Sequence, residues 1–384
     1  MNSPAHAERT ARTAAGMVRR LLWCLCAYLA VPVLRADADT VRLYVPALLA
    51  ERPGLGFAVS TVIGLQVWQT LRKAPSPNPQ ALSFGEGEVI WDPSPASFAD
   101  HEGAEAAARS GNLGAQFVLW GKAYEFGDGV VVQLNLSLPR YHDFRERTPE
   151  IWRFGWQPGV PTLEADMPAR RYSFEPIVLD KAVVERYSRP DAIALYASRG
   201  ESREIGRVGG RFLALESVPG AVKVRTAAGQ QGWVSLPDLA AQRSEVVDFV
   251  SGLVRIYRAD WYGARELLAR VSDSPVAPTA LRLDAALLSA RAGLLAGLPA
   301  EQMVAEMDRA AALSPNARRS AVYQTMIRLS AAGRREGCVD AASRAEIAAV
   351  IDQRRRLFVA DDEWLAKVEQ VLGADERSCP SSQR

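Results

Sequence analysis

The chain reads as a multi-domain α+β protein. It divides into an α/β sandwich domain over residues 39–185, a small β-barrel over 191–240 and an α-helical repeat tail over 244–373. Three observations predict this. Apolar runs alternate between strand and helix period through the first part of the chain. Short β-type runs punctuated by glycine crowd between Asp191 and Leu239. After Leu239 the period turns helical and stays so. The length of 384 residues, 48% of them hydrophobic, exceeds one usual core and fits two or three.

Residues 1–38 read as an export signal. Arg19-Arg20 supply a basic start, Leu21–Leu34 an apolar stretch of signal-peptide length, and Ala36-Asp37-Ala38 a small-x-small cleavage site. An uncleaved anchor is the competing reading, but the run is short for a membrane span and Pro32 interrupts it. Starting at Met17 rather than Met1 gives a more ordinary signal. Cys24 and Cys26 follow bulky Leu22-Trp23, which excludes a lipidation site. The segment holds five basic and two acidic groups. Its removal turns 46 basic and 44 acidic residues into 41 and 42, a net charge of −1. The expected product is periplasmic or secreted, keeps no integral membrane anchor, and has no basic excess for nucleic acid.

The first domain opens with a strand over Val41–Leu48 and a loop at Arg52-Pro53-Gly54. A helix over Phe57–Leu71 follows, with apolar residues at Val59, Val62, Ile63, Val67 and Leu71. Ala74–Pro79 is a proline-rich loop, and Glu88–Trp91 a short strand that Pro93–Pro95 ends. Ala99–Ser110 is a helix stopped by Gly111–Gly114. Phe117–Phe126 and Val130–Leu138 flank Gly127-Asp128-Gly129, a strong hairpin signal. Residues 139–170 carry five prolines and read as irregular, with Trp152, Phe154 and Trp156 alternating like one more strand. Tyr172–Val178 reads as the last strand. This β-α-β-α-β-β order, with Leu113–Gly121 opening the hairpin, resembles the amino-terminal domain of TolB-like envelope proteins, which implies docking of other proteins. Gly114 and Gly121 fit neither a P-loop nor a dinucleotide fingerprint.

The barrel runs are Ala192–Tyr196, Glu204–Val208, Phe212–Ser217, Val222–Arg225 and Gly232-Trp233-Val234. Gly209-Gly210, Pro219-Gly220 and Gly229 separate them. Ile205–Gly210, Leu213–Glu216, Val222–Arg225 and Gly229–Val234 resemble a bacterial SH3-like domain. Pro219-Gly220-Ala221 stands where that family usually has a Trp before the fourth strand. The resemblance implies a module that binds and braces rather than catalyses. Trp233 is expected in the barrel core with at most one exposed edge. Tyr196 and Trp233 are the candidates for a ligand groove.

In the tail, Val246–Tyr257 pairs with Trp261–Val271, Ala280–Leu295 with Ala300–Leu313, and Ser320–Ala332 with Ala342–Phe358. Asp362–Leu372 is a terminal cap, and residues 374–384 are a flexible end. Small residues at Gly252 and Ala264 and the ending Ser314-Pro315-Asn316 resemble tetratricopeptide helix pairs. An ordinary helical bundle is the alternative. Arg354-Arg355-Arg356 reads as a solvated helix face. Cys338 and Cys379, the two cysteines left after cleavage, are a candidate disulfide across the tail.

The chemistry of common enzymes is missing from the pattern. His101 and His142 show no zinc-peptidase spacing, both remaining cysteines lie far from them, and no nucleophile elbow occurs. No cofactor and no catalytic residue is expected. The leading expectation is an exported, non-catalytic envelope scaffold or adaptor. Its helical tail binds a protein partner and its barrel contacts cell wall or peptide. A peptidoglycan-sensing binding module is the alternative from a second class, marked by an exposed aromatic groove on the barrel. A cell-wall-modifying enzyme with an unrecognised carboxylate pair is the third.

Overall fold

The computed structural model describes residues 41–73, 88–95, 98–109, 115–138, 151–154, 163–166, 170–187, 193–208, 212–218, 221–235, 245–336, 339–359 and 362–374. The export signal, the loop at Ala74–Pro79, the stop at Gly111–Gly114, His142, Trp156 and both candidate disulfide cysteines lie outside them. The described chain is mixed α+β.

One helix sets the layers. Strand β1 (Arg42–Ala47) runs through β2 (Leu49–Ala50) into helix α1 (Pro53–Lys73). The expected loop is shorter than the sequence suggested, because proline suits the first helical position, where no N–H is needed. From Leu55 to Trp68 most of α1 is buried, on every side. A helix buried all round needs a cover on each face. One cover is the sheet, through β1, β3 (Glu88–Pro95) and β12 (Phe212–Val218), and the other is helix α4 (Glu245–Tyr257). Even its polar residues turn inward: Ser60 and Thr70 donate to the carbonyls of Phe57 and Gln66, at 2.9 and 3.0 Å.

The sheet has twelve strands. Both β3 and β4 (Phe117–Phe126) lie parallel to β1, on its two sides. Crossovers of one hand then place their helices on opposite faces, as found. Phe117 and Leu119 of β4 face the α1 core, while Val118 and Trp120 pack under α2 (His101–Arg109). The hairpin of β4 and β5 (Gly129–Ser137) forms as its Asp-Gly turn predicts. Three local readings need correction. Strand β3 continues through Pro93 to Pro95 instead of ending before them. The expected strand Tyr172–Val178 splits into β8 (Arg171–Ser173) and β9 (Ile177–Asp180), both paired to β5, with Pro176 between them. Helix α3 (Lys181–Glu185) follows, capped by Asp180. Within 139–170 two strands form, not one: β6 (Ile151–Phe154) and β7 (Leu163–Asp166).

The five runs of the second region all form strands: β10 (Ala194–Tyr196), β11 (Glu204–Arg207), β12, β13 (Ala221–Thr226) and β14 (Gln231–Ser235). A closed barrel is not what they make. Their order β11-β10-β14-β13-β12 ends with β12 antiparallel to β3, at Phe212↔Trp91 and Leu213↔Ile90. The free edge that closure would have used is spent on the first sheet, which solves the same edge problem. No β11–β12 pairing occurs among the described residues.

Helices α4, α5 (Trp261–Asp273), α6 (Thr279–Leu295), α7 (Ala300–Ala312), α8 (Arg318–Glu336) and α9 (Ala341–Arg354) each pack on the next. Gly252 is the close approach expected of the first pair: a Cβ there would lie 2.6 Å from Leu268 Cγ. Helix α10 (Glu363–Ala374) closes the layer. Phe358 stacks on Trp364, and β7 packs against α10 while β6 packs against α8. Leu163 is fully buried among these helices, so the β6–β7 hairpin reaches over and braces the end of the tail. Arg355 and Arg356 of the triple arginine are exposed, as a solvated face requires, and also make surface contacts. Arg355 bridges to Asp352 and Glu369, and Arg356 donates to Asn316, so two of the three tie the last turns together.

A buried charge joins the sheet to the helices. Asp284 of α6 is inaccessible and accepts from Tyr172 Oη of β8 (2.7 Å), Tyr323 Oη (3.2 Å) and Arg319 Nη2 (2.8 Å), the last two on α8. A carboxylate this deep is tolerated because three donors, one of them cationic, meet it. Asp284→Ala should therefore cost about 3 kcal/mol in chemical denaturation, leaving Arg319 and two buried hydroxyls without their acceptor. Burial, with the Asp284 charge adding to it, pushes the Tyr172 and Tyr323 phenols well up, and burial pushes Tyr187 up to about 12. The folded chain then keeps phenol protons that the unfolded chain loses near pH 10. Stability should be insensitive to these groups below about pH 10 and fall as pH rises beyond it. Urea titrations at pH 9 and 11 test this, and Tyr187→Phe should shrink the difference.

Candidate functional site

Tyr196 and Trp233 are antiparallel partners on β10 and β14, so their side chains stand on one face of the sheet. Gly232, just before Trp233, sits tight against β10: a Cβ there would lie 3.1 Å from the Tyr196 carbonyl oxygen. Its neighbours Leu195 and Val234 are buried in the core shared with α1, which fixes both strands. Trp233 is not the barrel core residue expected. It is half-buried, as is Tyr196, because alternation sends Val234 inward and leaves Trp233 on the outer face.

The two rings line a groove of about 560 Å³. Its other wall is the β10–β11 loop, with Ser198, Arg199, Gly200, Glu201 and Ser202, and Ala221 and Ser235 complete it. Gly200 makes the loop turn with φ +73°, a conformation that side chains resist. The Arg199 guanidinium lies 5.9 Å from the Trp233 ring centroid, at the outer range of a cation–π contact. Arg199 and Glu201 are both exposed, so the groove offers an aromatic floor, hydroxyl donors and one charge of each sign. The sequence pointed to the two rings. The loop was missed, and its signal was the polar, glycine-containing run Ser198–Ser202 between two strands.

A second cavity of about 450 Å³ opens between α5, α6 and α7. On the outer face of the hairpin, Tyr124, Phe126 and Val178 are exposed, and the register Tyr124↔Val131↔Val178 sets them side by side.

Among the described residues, His101 and Ser137 form a serine–histidine contact. His101 Nδ1 is 2.8 Å from Ser137 Oγ, and Trp120 Nε1 donates to the same oxygen at 2.9 Å. Burial, helped by Arg171 and opposed by Glu105 and Asp100, lowers the His101 pKa. Ser137 is wholly inaccessible, so this contact anchors α2 on the sheet and presents no nucleophile to solvent. Among the described residues no three His, Cys, Asp or Glu side chains gather as a metal would need, and no helix is long and apolar enough to cross a membrane.

Set against known proteins, the chain matches no family model, no curated protein and no solved structure.

A half-buried Trp233 on the outer face changes the energetic expectation. Deleting a fully buried aromatic costs about 3–5 kcal/mol. Trp233→Ala should cost roughly 2 kcal/mol, since most of the ring is covered but it lies outside the apolar core. Thermal unfolding checks this. A loss at the full-burial scale, with the strands unfolding, would return Trp233 to the core.

Proposed function

We propose that the chain is an exported, non-catalytic binding protein of the bacterial cell envelope whose main recognition element is the Tyr196–Trp233 groove. The ligand is a peptide of the cell wall. One observation carries the reading: two aromatic side chains, adjacent by register, lie half-buried on the outer face of the sheet beneath an arginine. Rings left at a surface give contact area at low entropic cost, and a few polar groups beside them fix orientation. The groove volume lies in the range of small-ligand sites. Arg199 suits the carboxylates of a wall peptide and Glu201 its amines. The SH3-like strand pattern points the same way, and so does the export signal.

A second role rests on the helical layer, which serves as the platform for a protein partner. The cavity between α5, α6 and α7 supports it. With both roles the protein is an envelope adaptor, linking wall to partner. The carboxylate-pair alternative gains little from this cavity. It holds Asp273 and Glu306, but Glu306 is already taken by Arg265 and Gln302.

The test is a titration with soluble peptidoglycan stem peptides, read by tryptophan fluorescence and calorimetry. Saturable binding should weaken about tenfold or more in Tyr196→Ala and Arg199→Ala, on the scale of one lost aromatic or charged contact, with melting unchanged in the exposed Arg199→Ala variant and only modestly lowered in Tyr196→Ala. Equal binding by wild type and both variants would remove the groove from the function.

A further inference from the structure

The cavity between α5, α6 and α7 exists because the facing helices carry small side chains there. Ala269, Ala286 and Ala310 form its floor, and Leu313 stands half-exposed on its rim. Its walls are polar: Arg265, Arg282 and Arg309 supply three guanidiniums, and Ser272 and Ser289 two hydroxyls. These cations are not equivalent. Arg265 Nη2 is bound to Glu306 at 2.6 Å. Among the described residues Arg282 spends only Nε, on the Ser272 carbonyl at 2.9 Å, which holds the fork at the cavity wall. Arg309 is exposed and has no ion-pair partner among the described residues. A held guanidinium fork beside a free one is a ready receptor for a planar oxyanion.

We propose that this cavity binds a carboxylate on an aliphatic stem, presented by a partner peptide as an acidic side chain or a free carboxyl terminus. Arg282 and Arg309 take the carboxylate, Ser272 flanks it, and the alanine floor takes the stem; the Ser289 hydroxyl is spent on the Arg265 carbonyl. Asp273 and Glu306 in the same wall oppose a doubly charged phosphate, so a single carboxylate fits better. The inference deepens the reading of the helical layer as a partner platform and does not depend on the Tyr196–Trp233 groove.

Two capped pentapeptides and one uncapped peptide test it, by amide chemical-shift titration of the full chain. Acetyl-Ala-Ala-Glu-Ala-Ala-amide carries the acidic side chain, Ala5 with a free carboxyl end carries the terminus, and acetyl-Ala5-amide carries neither. One of the first two should give saturable shifts confined to residues 265–313, and which one does identifies the source. Arg309→Glu and Arg282→Gln should each weaken it about tenfold. Lys367→Glu, a charge reversal on α10 outside the cavity, should leave it unchanged. Binding of acetyl-Ala5-amide as strong as the others, inorganic phosphate binding more tightly than either, or indifference to both arginine changes would overturn the assignment. If a protein captured from envelope extract still binds the Arg282 and Arg309 variants as tightly as wild type, the cavity fails while the platform reading stands.

Discussion

The burial of α1 on all sides is the constraint from which the rest follows. A helix whose apolar residues do not keep to one stripe cannot sit on a protein surface. It must be sandwiched, and here the sheet lies on one side and α4 on the other. That requirement carries one apolar core across the α/β stretch, the five short strands and the tail. Residues from β1, α1, β14, α4 and α6 share one hydrophobic cluster. Arg255 of α4, nearly inaccessible, fastens the arrangement by donating to the Thr70 carbonyl at the end of α1 (3.2 Å) while paired to Asp260.

The attachment of the helical layer at its far end uses different physics. There the interface is polar at its centre, with Asp284 holding Tyr172 from the sheet and Tyr323 and Arg319 from α8. Apolar contacts alone can slide. A carboxylate with three specified donors can be satisfied in one register only, which gives the interface its uniqueness. The β6–β7 hairpin adds a brace from outside, reaching α8 and α10 from an insertion between β5 and β8.

Local elements were legible in the sequence wherever period and punctuation agreed. The Gly127-Asp128-Gly129 hairpin, the five short strands and seven tail helices all appear near their expected bounds. What stayed hidden were choices made by partners distant in sequence. Nothing near Phe212 says that its strand will pair with Trp91 rather than close on β11. Alternation did carry the answer for Trp233: if Val234 is inward, its neighbour is outward, and the preference of tryptophan for cores obscured it. The proline count in 139–170 likewise hid two strands, because the prolines fall outside both. For the groove, the rings were visible and their loop was not. For the helical cavity, three arginines on three helices have no shared motif.

The shared core has a consequence for the order of folding. Thr70 meets Arg255 across 185 residues of chain, and Tyr172 meets Asp284 across 112. Contacts this distant form slowly, because the loop between them must close before they are rewarded. As the chain emerges, α1 can find β1 and β3 early, but its other face stays open to water until α4 arrives. The emerging chain therefore presents this buried helix half-covered until α4 follows, a window in which aggregation competes with folding. Completion of the first core waits on the last third of the sequence.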